Sequence, residues 1–401
     1  MKWLFCLYPA SLIMNKTAND VVSGLILLAA CASLALHRSE LKACLAGARR
    51  MWLLALALPL LMVAIQYFAL PEVMALRDLD DMSRFFLCIP VYLALLLLRP
   101  DIRPFLSGCA FFTVYSMGLM AWHIHGLGLD RGIAPNGFLA TIPQTSLSII
   151  LSMVALRLWV GPEGALRRRA APVLLLAIAF CVPLLSQTRS GLVLALVLGI
   201  MLWLLLPNKN LRVLLVSVTA AAAVMLVVMT NSSLWARGDQ TVAEIERYMT
   251  EEHFVSTSTT TRLELWRFAG RMFAEHPLIG VGNHQFASKL ASYKSTGETP
   301  AALELFTHPH NEFLKFAAEG GALGVLAISL LYFVPLSAGM RRYRRRPSAL
   351  SPALPLIVLC SGFLLASMVD VVLAWRPTIM FYGLAASLLL ATMDNSAEPA
   401  A

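Results

Sequence analysis

The chain has 401 residues, 58% of them hydrophobic and only 14% charged, and its mean hydropathy is +0.72. That balance excludes an ordinary soluble domain and calls for a membrane-embedded one. The formal net charge of +9 lies in connections between apolar runs, with no basic patch interleaved with aromatics, which excludes a nucleic-acid-binding module.

A helix needs about 20 apolar residues to cross the hydrocarbon core. The short run 3–14 counts as a first span because the charge pattern then works throughout. Further runs lie at 21–37, 51–69, 84–98, 105–124, 143–160, 172–187, 190–207, 211–230, 321–340, 351–373 and 376–393. With the N-terminus inside, the cytoplasmic connections hold Arg38, Lys42, Arg49 and Arg50, then Arg99 and Arg103, then Arg157 and Arg167 to Arg169. Lys209 and Arg212 follow, and finally Arg341, Arg342 and Arg344 to Arg346. The outer loops are poor in basic residues, as the positive-inside rule requires, and the cationic side faces anionic lipid headgroups. The expected fold is an all-α polytopic membrane protein with about twelve transmembrane helices and both termini in the cytoplasm. Residues 1–230 carry the first nine helices, 231–320 one long periplasmic loop, and 321–401 the last three with a short cytoplasmic tail.

The seven cysteines include six in apolar runs and Cys44 in a loop, with no CxxC spacing. Neither a disulfide framework nor a thiolate metal site is expected. The long loop is too extended to be idle. It reads as helices at 240–254, 262–275 and, more weakly, 286–305. The Ser/Thr run 256–261 is able to cap the second, and Pro277, Gly280 and Gly282 break the chain after it. His310 opens the last helix of the loop, which enters the membrane at Gly321 and Gly324.

Four constellations carry possible chemistry. The turn Gln187-Thr188-Arg189-Ser190-Gly191 sits at the outer end of two apolar runs. Arg189 either snorkels to the interface or aims its guanidinium at a phosphate, with Thr188 and Ser190 as extra donors. Arg262 opens a helix with Trp266 one turn on; either this is a solvated helix with an interfacial tryptophan, or it makes an anion site at a helix N-terminus. His308, His310, Asn311 and Glu312 offer an imidazole suited to taking a proton near neutral pH, against the plainer role of hydrogen-bonded structural histidines. Asp78-Leu79-Asp80-Asp81 contains a DxD able to hold a divalent cation, though an acidic lead-in to a span is the plainer reading. Asp370 lies in an apolar run six residues before Arg376; an intramembrane carboxylate is a functional suspect, though pairing with that arginine is the plainer reading.

Two outer arginines and an outer histidine suit a lipid-linked diphosphate at headgroup depth. Arginines would stabilise the charge that builds on the leaving group, and a histidine would deprotonate an attacking sugar hydroxyl. No nucleotide-binding fingerprint is present.

In these features the chain resembles the bacterial O-antigen ligases, within the wider group of O-antigen polymerases and O-linked protein oligosaccharyltransferases. His310-Asn311, nine residues, then Gly321-Ala322-Leu323-Gly324 resembles the ligase signature. Thr188-Arg189-Ser190-Gly191 resembles the family's outward arginine turn. Arg262 with Trp266, followed by Pro277 to Gly282, resembles its long-loop arginine and glycine turn. The resemblance implies a C-type glycosyltransferase-like bundle in the bacterial inner membrane, with its active site facing the periplasm. It implies transfer of O-polysaccharide from undecaprenyl diphosphate to the lipid A-core oligosaccharide, without ATP, metal or other cofactor. Arg189, Arg262 and His310 would be catalytic, the two arginines also binding the diphosphate and His310 serving as base or as a further diphosphate ligand. Asn311, His308 and Trp266 would complete substrate binding. Polymerase and protein oligosaccharyltransferase activities use the same donor. A lipid or polysaccharide transporter would instead need paired intramembrane charges and an internal repeat, and neither is visible.

Overall fold

The computed structural model describes residues 1–40, 49–129, 139–159, 170–206, 257–295, 305–345 and 351–395, with a few single positions between them. Among these residues the structure is helical, without strands. In a lipid phase a helix satisfies its own backbone polar groups, which is why apolar runs of this length take that form. The helices are α1 (Lys2–Met14), α2 (Lys16–Leu36), α3 (Arg50–Ala69), α4 (Asp80–Leu98), α5 (Arg103–His125), α6 (Thr141–Ala155) and α7 (Ala170–Leu185). They continue as α8 (Arg189–Leu205), α9 (Ser258–Glu275), α10 (Phe286–Ser295), α11 (Glu312–Arg345), α12 (Ala353–Ser367) and α13 (Arg376–Asn395).

Seven of the described helices are long and apolar enough to cross a membrane, and α1, α7, α8 and α12 are shorter apolar helices. The chain is a multi-pass membrane protein. The expected span at 211–230 and the expected loop helix at 240–254 lie outside the described residues. The 13-residue α1 is shorter than a full crossing needs. It packs on α5 so closely that a Cβ at Gly108 would lie 2.1 Å from the Cys6 carbonyl oxygen. The six described cysteines are unpaired.

The α11 helix packs on α3 and α12, α13 packs on α4, and α6 packs on α5, α7, α8 and α12. The starts of α6, α8, α11 and α13 and the ends of α7 and α12 share one end of this bundle. The other end holds the ion pair of Arg49 with Asp394 (2.5 Å), the Tyr343 hydroxyl bound to the Leu205 carbonyl, and the arginines that close α11.

The decisive local feature is a break in α11 at Gly321, whose φ of 59° and ψ of −149° are open to glycine alone. A regular helix would bond the N–H of residue 322 to carbonyl 318, and 323 to 319. Instead the loop after α9 enters the gap. Val281 and Gly282 donate to the Ala318 and Glu319 carbonyls at 3.0 and 3.1 Å, and Ala322 and Leu323 donate to the Pro277 and Leu278 carbonyls at 2.7 and 3.3 Å. Gln66 of α3 is fully buried and completes the joint. Its amide nitrogen donates to the Ile279 and Glu319 carbonyls at 2.5 and 2.6 Å, and its oxygen accepts from the Asn283 N–H at 3.2 Å. The approach requires glycine on both sides. A Cβ at Gly280 would stand 2.3 Å from the Glu319 carbonyl carbon, and one at Gly321 2.5 Å from that of Leu278.

Gly321→Ala is therefore expected to destabilise by about 3 kcal/mol or more, seen as a clear drop in the unfolding temperature of detergent-purified protein. Gly270→Ala lies in α9 with open space around the new methyl, and should be neutral or stabilising by up to about 1 kcal/mol. Equal effects of the two substitutions would refute the role given to the break.

Candidate active site

The corner between α7 and α8 fixes Arg189. Gln187 turns the chain in the left-handed region, with φ of 51°, and Thr188 is the N-cap of α8. A buried chain of hydroxyls, Thr145 to Ser186 at 3.0 Å and Ser186 to Thr188 at 2.9 Å, ties the corner to α6. Gly191 admits this packing, since a Cβ there would lie 2.6 Å from the Thr188 hydroxyl and 2.8 Å from the Thr145 methyl. Arg189, the first residue of α8, is left exposed.

The α9 helix begins earlier than its sequence pattern indicates. Thr257 is the N-cap, and its hydroxyl accepts from the Thr260 N–H. Arg262 is thus the fifth residue of the helix and not its opening one, while the threonines ahead of it form the first turn. Thr259, Arg262, Leu263 and Trp266 share one face, at the spacing of successive helical turns. Leu265, Phe268, Ala269 and Met272 form the other face, packed against Phe286, Leu290 and Ala318. The Trp266 indole N–H donates to the Pro309 carbonyl at 2.9 Å and so holds the histidine segment against α9.

That segment is bolted to the α12–α13 turn by three consecutive residues. His310, with φ of 51°, places its Nδ1 3.1 Å from Asp370 Oδ1. The Asn311 amide donates to the Met368 carbonyl at 3.0 Å, and its oxygen accepts from the Leu314 N–H at 3.1 Å, capping α11. The buried Glu312 carboxylate accepts from the Leu373 N–H at 2.9 and 3.1 Å and from the Ser367 hydroxyl at 3.1 Å. The His308 and His310 rings meet edge to face with centroids 4.5 Å apart.

Electrostatics separate the two histidines. Burial, followed by the charge of His310, pushes His308 down to about 4. It is therefore neutral at neutral pH and a weak base. Burial raises the Asp370 carboxyl, but the hydrogen bond and charge of His310 outweigh it, so that its value is lowered and it stays ionised.

These elements enclose one cavity of about 730 Å³, lined among others by Arg189, Arg262, Trp266, His308, His310 and Asp370. Three stretches far apart in sequence converge there. Among the described residues neither Arg189 nor Arg262 has an ion-pair or hydrogen-bond partner, whereas Arg49, Arg84, Arg267, Arg271 and Arg376 are all paired with acids. Two uncompensated guanidinium groups in one recess make an anion site. Asn311 is not among the lining residues; its carboxamide serves the α11 cap.

Asp370 departs from expectation. Arg376 bonds Asp81 at 2.7 Å and Asp80 at 3.1 Å, which leaves Asp370 to His310. The acids of the DxD stretch are likewise engaged, Asp78 with the Ala75 N–H and Asp81 also with His284. Trp375, Thr141 and Thr259 also line the cavity, and sequence reasoning singled out none of them. Only the Ser/Thr run 256–261 hinted at Thr259.

Inorganic pyrophosphate should bind the purified protein, and Arg189→Ala or Arg262→Ala should each weaken it roughly 10- to 100-fold, as loss of a charge-assisted contact implies. Calorimetry makes the comparison, with Arg271→Ala as a control expected to change nothing.

No curated protein matches the chain. Residues 174–329 match the family model described as O-antigen ligase. The matched stretch includes Arg189, Arg262, Trp266, His308, His310 and Asn311, and leaves Asp370 and Trp375 beyond its end. Through that stretch, which holds most of the residues that line the cavity, the chain is similar to the O-antigen ligase family.

Proposed function

We propose that this protein transfers O-antigen polysaccharide from undecaprenyl diphosphate to the lipid A-core oligosaccharide, at the periplasmic face of the bacterial inner membrane. The observation that carries this reading is the pair of unpartnered guanidinium groups, Arg189 and Arg262, in one cavity with the His310–Asp370 pair. The arginines bind the donor diphosphate and stabilise the charge it gains as the glycosidic C–O bond breaks. With Asp370 holding Nδ1, the other His310 nitrogen takes the proton of the acceptor hydroxyl as its oxygen bonds the anomeric carbon. His308, a weak base, belongs to binding. Trp266 fixes the segment through its indole N–H and presents part of the wall, and Asn311 contributes by holding that segment in place. The donor is already activated, so the reaction draws on neither ATP nor a metal. The carboxylates of Asp78, Asp80 and Asp81 have protein partners, in keeping with a role outside the chemistry.

His310→Ala, Arg189→Ala and Arg262→Ala should each lower transfer by about 10²–10⁴-fold in an assay with purified protein, lipid-linked glycan and core-lipid A. In cells, capped lipopolysaccharide should disappear while lipid-linked polysaccharide accumulates. Near-normal transfer by His310→Ala would remove it from the base role. Glycan that lengthens on its carrier, without moving to the core, would replace this reading by a polymerase.

Asp370→Asn should lower turnover roughly tenfold or more with little change in apparent KM, because it misorients the His310 ring without removing a binding group. A pure rise in KM would assign Asp370 to substrate binding instead. Chelators should leave the purified reaction intact; their inhibiting it would contradict the metal-free scheme.

A further inference from the structure

We propose that His308, His310 and Asp370 form a binding site for a zinc-type divalent cation, and that its occupation switches the transfer reaction off. One nitrogen from each ring and one Asp370 oxygen lie within 4.8 Å of one another, and all three residues line the cavity. A four-coordinate cation with bonds of about 2.0–2.1 Å sets its ligand atoms roughly 3.3–3.5 Å apart. His310 Nδ1 and Asp370 Oδ1 already stand 3.1 Å apart, so a few tenths of an ångström suffice at that edge. The other two edges, both within 4.8 Å, close by rotation of His308, whose ring stands at 76° to that of His310.

The supports of the site are independent of any cation. Asp370 Oδ1 also accepts from the Val371 N–H at 2.9 Å, and the Pro309 carbonyl between the two histidines is pinned by Trp266 at 2.9 Å. Two imidazoles and one carboxylate favour zinc, cobalt or nickel over magnesium or calcium, which prefer all-oxygen sets. Three protein ligands leave a fourth position open toward the cavity, where water or a diphosphate oxygen completes the shell. Binding replaces the shared proton of the His310–Asp370 hydrogen bond with the cation, and the proton leaves to solvent. This cation site does not depend on the proposed transfer reaction, but the inhibitory role rests on it, because it assumes that His310 must be unliganded to accept the acceptor proton.

The test begins with binding to full-length protein in detergent, without substrates. Cobalt should give the visible spectrum of a four-coordinate ion at one equivalent per chain, and zinc should displace it. His308→Ala and Asp370→Asn should each weaken binding roughly 100-fold, and His308→Gln, which keeps the side-chain bulk, covers the case in which the alanine variant fails to fold. His276→Ala, an exposed position outside the cavity, should change nothing. In the transfer assay zinc should inhibit, magnesium should not, and a chelator should restore the rate. Absence of stoichiometric cobalt binding, or binding that survives the His308 and Asp370 substitutions, overturns the site. Zinc that binds without slowing transfer overturns the inhibitory role. The spectrum decides the site even if no transfer is observed, so its failure is distinct from failure of the proposed reaction.

Discussion

The geometry of the candidate site depends on the joint at Gly321. A helix broken within an apolar protein leaves two N–H groups and two carbonyls without their regular partners, each costing roughly 1–3 kcal/mol if left unmet. Here the segment 277–282 supplies all four partners, and Gln66 adds a second donor to the Glu319 carbonyl and satisfies that of Ile279 in the segment itself. The helix that carries Arg262 and α11, which starts at Glu312, two residues after the His310 expected to open it, are thereby spliced through their main chains. Side-chain packing alone, through Leu265, Phe268 and Ala318, would allow sliding; a hydrogen-bonded splice fixes register.

A second constraint acts at the head of α11. His310, Asn311 and Glu312 each reach a different group of the 367–373 turn: a carboxylate, a carbonyl and a backbone N–H. The turn itself leads into Arg376, held by Asp80 and Asp81. The imidazole is thus oriented from one side by α9, through Trp266, and from the other by α12 and α13. The left-handed backbone of His310 and Gln187 places both cavity-forming turns in conformations that most side chains avoid. Such strain collects where geometry serves a site.

Much of this was legible in the residues. Apolar runs and basic connections indicated the helices, because length and charge are what a bilayer reads. Arg189, Arg262, Trp266 and His308 with His310 stood out because charged and imidazole groups at membrane ends need a reason to be there. Their convergence in one cavity is information about three-dimensional packing, which no local pattern contains. The sequence pairing of Asp370 with Arg376 failed for the same reason: six residues of separation proposed a partner, while a tertiary contact sixty positions back supplied another. The start of α9 was misplaced because threonines have low helical propensity in the interior, yet Thr257 and Thr260 cap one another reciprocally and draw the helix back to Ser258. The break at Gly321 could be suspected from two adjacent glycines, but its filling by residues 277–282 could not.

The splice also converts α9 into a ruler. Arg262 lies a fixed number of helical steps before the point at which Pro277 engages α11, and each step is about 100° of rotation. Inserting or deleting one residue in that interval would swing the guanidinium from the recess toward the packed core, although composition, hydropathy and helix propensity would scarcely change. Variation in this stretch is therefore restricted to exchange of side chains at constant length.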